Sequence, residues 1–454
     1  MAEIGRARRL IFFGILAGVM GLVLLLLVEG MSFAALCMME QGLATPRTLK
    51  NARRAIVEAE GSLAVQQTED EDENVPKLQH LEVEVVHPYL GFVMSPEKMN
   101  LPHVIESWGG EHVTEFGLIG QDGLIPEPDP DRVVVGIFGG SVAFLFAQMG
   151  ESALRETLER DPAFAGKEID FVRISLGGYK QPQQLMALNY FLIQGKRFDV
   201  VVNIDGFNEL CLPYVENQKL EVSPIFPRSW YWRVTDVPDL RTRRAIGEAV
   251  YLERKRKKIA RSFSKRPMLY SFTWNLVWRL RDNGLAAELA AAQTRVQESQ
   301  QDKEGRFVAR GPYEPWENDD VLFDELVDTW WRSSLQMHHL CEANGIRYHH
   351  FLQPNQYLPG SKPMGADEKK VAFVEQSPYA RLIPAMYPMA LEAGASLAQQ
   401  GVRFHDLTGV FRDVSEALYI DTCCHFNTRG NAIMAEVVAQ AILDDPGLAE
   451  AIAR

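Results

Sequence analysis

Cysteine is scarce in this 454-residue chain. The five present, Cys37, Cys211, Cys341, Cys423 and Cys424, sit at spacings that fit neither a disulfide framework nor a zinc signature. Adjacent Cys423 and Cys424 could bond only through a strained ring, so they read as two buried free thiols. Positive charge is also short: 47 Lys and Arg face 60 Asp and Glu, a net −13. That argues against nucleic acid as a partner, because phosphate binding needs a basic surface. No repeat of fixed period is present, which excludes solenoids and propellers. Glycine-rich phosphate loops of the Walker or Rossmann kind are missing too. No metal and no organic cofactor is implied. The remaining composition, 24% charged and 46% hydrophobic, is ordinary for a globular protein. The length suits one large α/β domain with insertions and an anchor.

Long apolar runs are confined to one place. Leu10–Val28 is 19 residues without a charge, nearly enough at about 1.5 Å per residue to cross a hydrocarbon core of roughly 30 Å. Arg6, Arg8 and Arg9 precede it. The positive-inside rule then puts the N-terminus in the cytosol and the rest of the chain outside, as a single-pass membrane protein. A cleaved signal peptide is the rival reading. Against it, the run exceeds a usual signal core of about 7–15 residues, no small-x-small site follows closely, and Leu36 before Cys37 suits lipoprotein processing poorly. Residues 1–39 therefore read as cytosolic N-terminus and anchor. Residues 40–80, with a helix over Pro46–Ala64 and the acidic run Glu69–Glu73, read as a solvated stalk.

Beyond the stalk the chain alternates strand and helix signals. Alternation over Leu81–Val86 predicts a strand. The apolar runs Val133–Phe138, Ile169–Leu176 and Asp199–Ile204 predict three more, and Ile346–Leu352 and Val402–Asp406 two later ones. Helices are predicted over Gln183–Gln194, Val321–Ala343, Leu382–Gln400 and Thr428–Leu443. Continuous apolar strands separated by helices indicate a parallel sheet covered on both faces, and ligands in such sheets bind beyond the carboxyl ends of the strands. Residues 213–318 break the pattern. This helix-rich stretch, with Trp230, Trp232, Trp274, Trp278 and the basic run Arg254–Lys258, reads as an insertion between two parts of the domain, 81–212 and 319–454. The basic run is either a solvated helix face or a contact for anionic headgroups or an acidic glycan.

The residues able to do chemistry fall at strand ends. Ser141 follows two glycines, on a turn that can hold its hydroxyl toward a cleft. Gly177-Gly178 closes the next strand and can bring a backbone N–H close to a ligand. Asn208, in Asp205-Gly206-Phe207-Asn208-Glu209, can offer a side-chain N–H to a developing oxyanion. Near the C-terminus, His425 lies four residues after Asp421, with Thr428 as the expected helix N-cap. A histidine that takes a serine proton, and a carboxylate that fixes its tautomer, are what nucleophilic acyl transfer needs. Each motif also has a plain reading as a turn. Gln353 and Asn355, after a strand, are possible substrate contacts or simply a polar strand exit. His338-His339 and His349-His350 are adjacent pairs whose side chains diverge, which counts against joint metal ligation.

In order and placement these motifs resemble the four blocks of the SGNH/GDSL hydrolases. The stretches HPYLGFV, GIFGGSVA, GGYKQPQQ and DGFNE resemble a bacterial membrane-anchored subgroup. The likeness covers about 85–210 and 400–445. It implies a three-layer flavodoxin-like α/β domain with a parallel sheet, a helical insertion and an N-terminal transmembrane helix. It also implies Ser141 as nucleophile, His425 as general base and Asp421 as its partner. Ser141 N–H, Gly178 N–H and Asn208 would form the oxyanion hole. Three departures stand out: Gly140 replaces the aspartate of GDS, Glu209 the aspartate after the block-three asparagine, and Asp421 lies four rather than three residues before the histidine. Asp406 is the reserve partner. The implied activity is serine-dependent hydrolysis of acyl esters outside the cytoplasmic membrane. O-acyl transfer to a cell-envelope polysaccharide and a non-catalytic envelope scaffold remain alternatives.

Overall fold

A computed structural model describes residues 2–58, 83–101, 112–120, 129, 131–235, 240–300 and 303–453. The acidic run Glu69–Glu73, and Leu81 and Glu82 of the first predicted strand, lie outside these. The chain forms two compact units, 1–73 with 238–305, and 74–237 with 306–454.

The larger unit is built on a five-stranded parallel sheet. Two short hairpins precede it, β1 (Glu84–His87) with β2 (Gly91–Met94), and β3 (His112–Val113) with β4 (Ile119–Gly120). The sheet strands are β5 (Arg132–Gly139), β6 (Glu168–Ser175), β7 (Val200–Asp205), β8 (Arg347–Leu352) and β9 (Arg403–Asp406), in the order β6-β5-β7-β8-β9. Every residue of β7 is buried, as is all of β5 after Arg132. Side chains alternate between the faces of a strand, so both faces of the sheet are covered. This explains why these strands read as unbroken apolar runs. Burying each valine contributes about 1.5–3 kcal/mol.

The covering helices pack in two groups. Ser141–Met149, Glu151–Glu159 and Thr428–Leu443 form one, and Gln183–Ile193, Phe207–Leu212, Asp319–Ala343 and Pro378–Gln399 the other. Predicted strand and helix positions in this unit fall within a few residues of those observed, a difference expected at fraying ends. One cap differs. Asn427, not Thr428, caps the last helix, accepting the Gly430 N–H at 3.0 Å.

The smaller unit joins Ala2–Met39 and Pro46–Glu58 to two long helices, Leu240–Phe263 and Phe272–Gln300. One stretch, Ile11–Met39, is long and apolar enough to cross a membrane, a property a signal sequence shares. The segment read as a solvated stalk carries a packed helix, Pro46–Glu58, in which fully buried Arg53 donates to Asn275 at 2.7 Å and stacks on Trp278. The apolar side of that helix needs a partner, which a bare stalk lacks. The region read as one insertion, 213–318, is divided between the units: 238–305 joins the smaller, and 213–237 and 306–318 belong to the larger.

Candidate functional site

The site lies where the sheet's winding reverses. From β5 the chain moves to β6 on one side, then to β7, β8 and β9 on the other. The crevice between β5 and β7 at their carboxyl ends is therefore the expected ligand position. Ser141 follows β5 and Asn208 follows β7.

Ser141 opens its helix with Gly140 as the N-cap. First-turn N–H groups have no intrahelical acceptor, so the Ser141 N–H faces outward. The two preceding glycines are sterically required. At Gly139, φ is +144° and a Cβ would lie 2.1 Å from the Ile204 carbonyl. At Gly140 a Cβ would lie 2.1 Å from Asn208 Nδ2 and 3.0 Å from the Tyr179 carbonyl. The lack of a side chain at Gly140 is thus what lets Asn208 approach Ser141. Asn208 is 8% exposed and donates one N–H to the Tyr179 carbonyl at 2.8 Å. That leaves its second N–H for another acceptor.

His425 completes the set. Its Nε2 is 2.6 Å from Ser141 Oγ, and its Nδ1 is 2.5 Å from Asp421 Oδ2. Asp421, although displaced by one position from the family spacing, is the carboxylate that meets the histidine. Its Oδ1 accepts the backbone N–H groups of Cys423, Cys424 and His425 at 2.9, 3.2 and 3.3 Å. One carboxylate thus folds the turn and orients the ring. The reserve candidate, Asp406, is exposed and accepts from Thr408 N–H at 2.8 Å within its own loop. The loop carrying the histidine is fixed from below. Ile420 N–H donates to the His425 carbonyl at 3.0 Å and Asn427 N–H to the Leu418 carbonyl at 2.9 Å. Buried Glu368, paired with buried Lys362 at 2.8 Å, accepts the Leu418 and Tyr419 N–H groups, each at 2.8 Å.

The electrostatics follow from these contacts. Burial draws the His425 pKa down. The Asp421 hydrogen bond, Cys423 and the Asp421 charge outweigh that and leave it above the ordinary imidazole value. Burial raises Asp421, but bonds from His425 and the backbone bring it below the usual carboxylate range. The Cys424 hydrogen bond lowers the Cys423 thiol against the effect of burial, helped by His425. The arrangement can move a proton from Ser141 Oγ to His425 Nε2 and stabilise the resulting imidazolium.

Gly178 closes β6 at φ +81° and is buried; a Cβ there would lie 2.3 Å from Arg228 Cδ. Gln353 and Asn355 are 3% and 0% exposed. Neither presents appreciable surface in this structure. Asn355 shapes its own turn, accepting Tyr357 N–H at 2.9 Å while its carbonyl accepts Ser361 Oγ. All five cysteines are free, with the Cys423 and Cys424 sulfurs 3.6 Å apart; Cys424 is buried and Cys423 half-buried. Cys423, Cys424 and His425 bring ligand atoms within 4.8 Å of one another, but both nitrogens of His425 already face Ser141 and Asp421.

Several contributors carry no sequence signature of their own. Tyr179 orients Asn208, and its hydroxyl donates to the Phe92 carbonyl of β2 at 2.6 Å, which gives the HPYLGFV stretch a supporting role. Glu209 takes N–H groups from Gly206, Gln181 and the Gln184 side chain at 2.8–3.0 Å. Burial and the nearby Asp205 charge push its pKa up to about 8. His350 bonds Asp205 and Ser334, whereas His349 faces His405 and Asp445. No family model matches the chain, and no curated protein matches it either.

Proposed function

We propose that the chain is a serine-dependent ester hydrolase of the SGNH/GDSL kind. The observation that carries this reading is the continuous hydrogen-bonded line from Asp421 through His425 to Ser141, at 2.5 and 2.6 Å. Ser141 Oγ would attack the ester carbonyl carbon and pass its proton to His425 Nε2. The oxyanion would be held by the N–H groups of Ser141 and Gly178 and by Asn208. His425 then protonates the departing alkoxide, and water, deprotonated by the same histidine, releases the acid from Ser141. The sheet order, written from β5 as 2-1-3-4-5, is that of flavodoxin-like doubly wound folds and supports the three-layer architecture. Arg6, Arg8 and Arg9 before the apolar helix support an anchored protein with a cytosolic N-terminus and the catalytic unit outside.

A scaffold that had lost its chemistry would not need Ser141 and His425 within hydrogen-bond distance. O-acyl transfer to an envelope polysaccharide would use the same residues, with a sugar hydroxyl in place of water. Labelling with a fluorophosphonate probe tests the nucleophile: the wild type is expected to label and Ser141→Ala not to. Equal labelling of both removes Ser141 from the role, and labelling of neither favours the scaffold. Release of acid from a short-chain aryl ester, compared with acetyl transfer to a glycan acceptor, separates hydrolase from transferase.

A further inference from the structure

We propose that Arg228 binds an anionic group of the substrate, so that the ester taken by this site carries a carboxylate near its scissile bond. The inference rests on the acyl-transfer reading above and adds the substrate's charge to it. Three observations lead there. First, the Arg228 stem crosses the backbone of the expected oxyanion residue: a Cβ on Gly178 would meet Arg228 Cδ at 2.3 Å and its Cβ and Cγ at 3.3 Å. The guanidinium is thereby carried to the rim of the site.

Second, the guanidinium is held at one point only. Its Nε donates to Glu216 Oε1 at 2.9 Å, and among the described residues Nη1 and Nη2 have no acceptor. A purely structural pair would be expected to close both carboxylate oxygens on the fork. Here Glu216 Oε2 is buried and unpartnered. The outer fork, on a side chain 39% exposed, is left open to another acceptor. Two parallel N–H groups match a carboxylate bidentately, which a lysine in the same place could not do.

Third, the charge reaches the reacting groups. Arg228 opposes protonation of His425 and lowers the Cys423 thiol and the Tyr379 hydroxyl, each alongside larger influences from burial or hydrogen bonding. A chain of net charge −13 repels anions at long range, so an anionic ester needs a local cation such as this one. A single guanidinium without a glycine-rich phosphate cradle suits a carboxylate better than a phosphate.

The test compares two aryl esters with one leaving group, p-nitrophenyl butyrate and p-nitrophenyl hemisuccinate, on the full-length protein in detergent. Arg228→Gln is expected to lower the ratio of kcat/KM for hemisuccinate over butyrate by about 10- to 100-fold, the range of one or two charged hydrogen bonds, with most of the change in KM. Arg228→Lys should recover part of the ratio. An unchanged ratio, including equal loss on both esters, overturns the proposal while leaving the esterase reading intact. Succinate titrated calorimetrically into wild type and Arg228→Gln gives a readout independent of turnover, and binding weakened at least tenfold in the variant is expected. Unchanged affinity, or no binding to wild type, overturns the proposal. Turnover of neither ester, with wild-type succinate binding that depends on Arg228, would instead count against the acyl-transfer reading.

Discussion

Asp421→Asn separates two tasks that one carboxylate performs. Oδ1 accepts three backbone N–H groups and builds the 421–425 turn, and Oδ2 faces His425 Nδ1. Asparagine with its oxygen in the Oδ1 place keeps the turn and puts an N–H donor where Oδ2 was. The imidazole must then present an unprotonated Nδ1 to that donor. Its proton moves to Nε2, where it points at Ser141 and blocks general-base action. The tautomer error in other serine triads costs about 10,000-fold, or about 5.4 kcal/mol at 1.36 kcal/mol per tenfold. Aryl-ester kcat/KM is expected to fall by that order, with the thermal transition close to wild type. The pH profile adds an independent sign. Burial depresses the His425 pKa, and Asp421 together with Cys423 more than restores it. The base is neutral only above its raised pKa, so activity rises as pH passes through that value. Removing the Asp421 charge should move this acid limb to lower pH. A variant within tenfold of wild type with an unmoved acid limb would refute the assignment of Asp421.

Gly140→Ala places a Cβ 2.1 Å from Asn208 Nδ2, so it and Asn208→Ala should each lower kcat by about 100- to 1,000-fold; stopped-flow assays of the double variant should show far less than the product of the two losses. Asp205→Ala strips a buried acceptor from Trp330, His350 and Asn203, each at 2.7 Å, and should lower unfolding stability in urea by about 3–5 kcal/mol. Iodoacetamide should modify Cys423, half-buried and with a lowered thiol pKa, before buried Cys211, Cys341 and Cys424, as read by peptide mass spectrometry, and activity should fall in step because the adduct abuts His425.

The parallel sheet was legible because its strands are buried on both faces. Sequences such as Val133–Phe138 leave few alternatives to a short buried strand bounded by glycines. Ser141, Asn208 and His425 were legible because strand ends and the last helix start are places where topology brings distant segments together. The burial of Gln353 and Asn355 was not, since a polar pair at a strand exit looks the same whether it faces solvent or closes a turn. Arg228 was hidden for a related reason. It comes from a stretch with no strand–helix rhythm, and only the packing against Gly178 reveals where its side chain goes. A helix beginning at Pro46 was identified, but its role was not, because the partners that bury Arg53, Asn275 and Trp278, lie more than 200 residues away.

Among the described residues are two serine–histidine–aspartate arrays, and they differ in exposure and orientation. In the second, Ser334 Oγ is 2.7 Å from His350 Nδ1, and His350 Nε2 is 2.7 Å from Asp205 Oδ1. By residue type it matches the first, and its hydrogen bonds are comparably short. Ser334 and His350 are fully buried and Asp205 is 2% exposed, so no ester carbonyl can reach that hydroxyl. The orientation is also reversed, since Nε2 is spent on the carboxylate. Asp205 is further tied by Trp330, Asn203 and Gln181. Burial would raise its pKa, but His350, Trp330 and Asn203 hold it below the ordinary value. Such a saturated network rigidifies the end of β7. Three residues later stands Asn208, whose contact with Gly140 leaves little room for displacement. The buried array therefore stabilises the turn leading to Asn208, the oxyanion donor of the proposed mechanism. The half-buried Ser141 and His425, at the open end of the same sheet, keep the freedom to react.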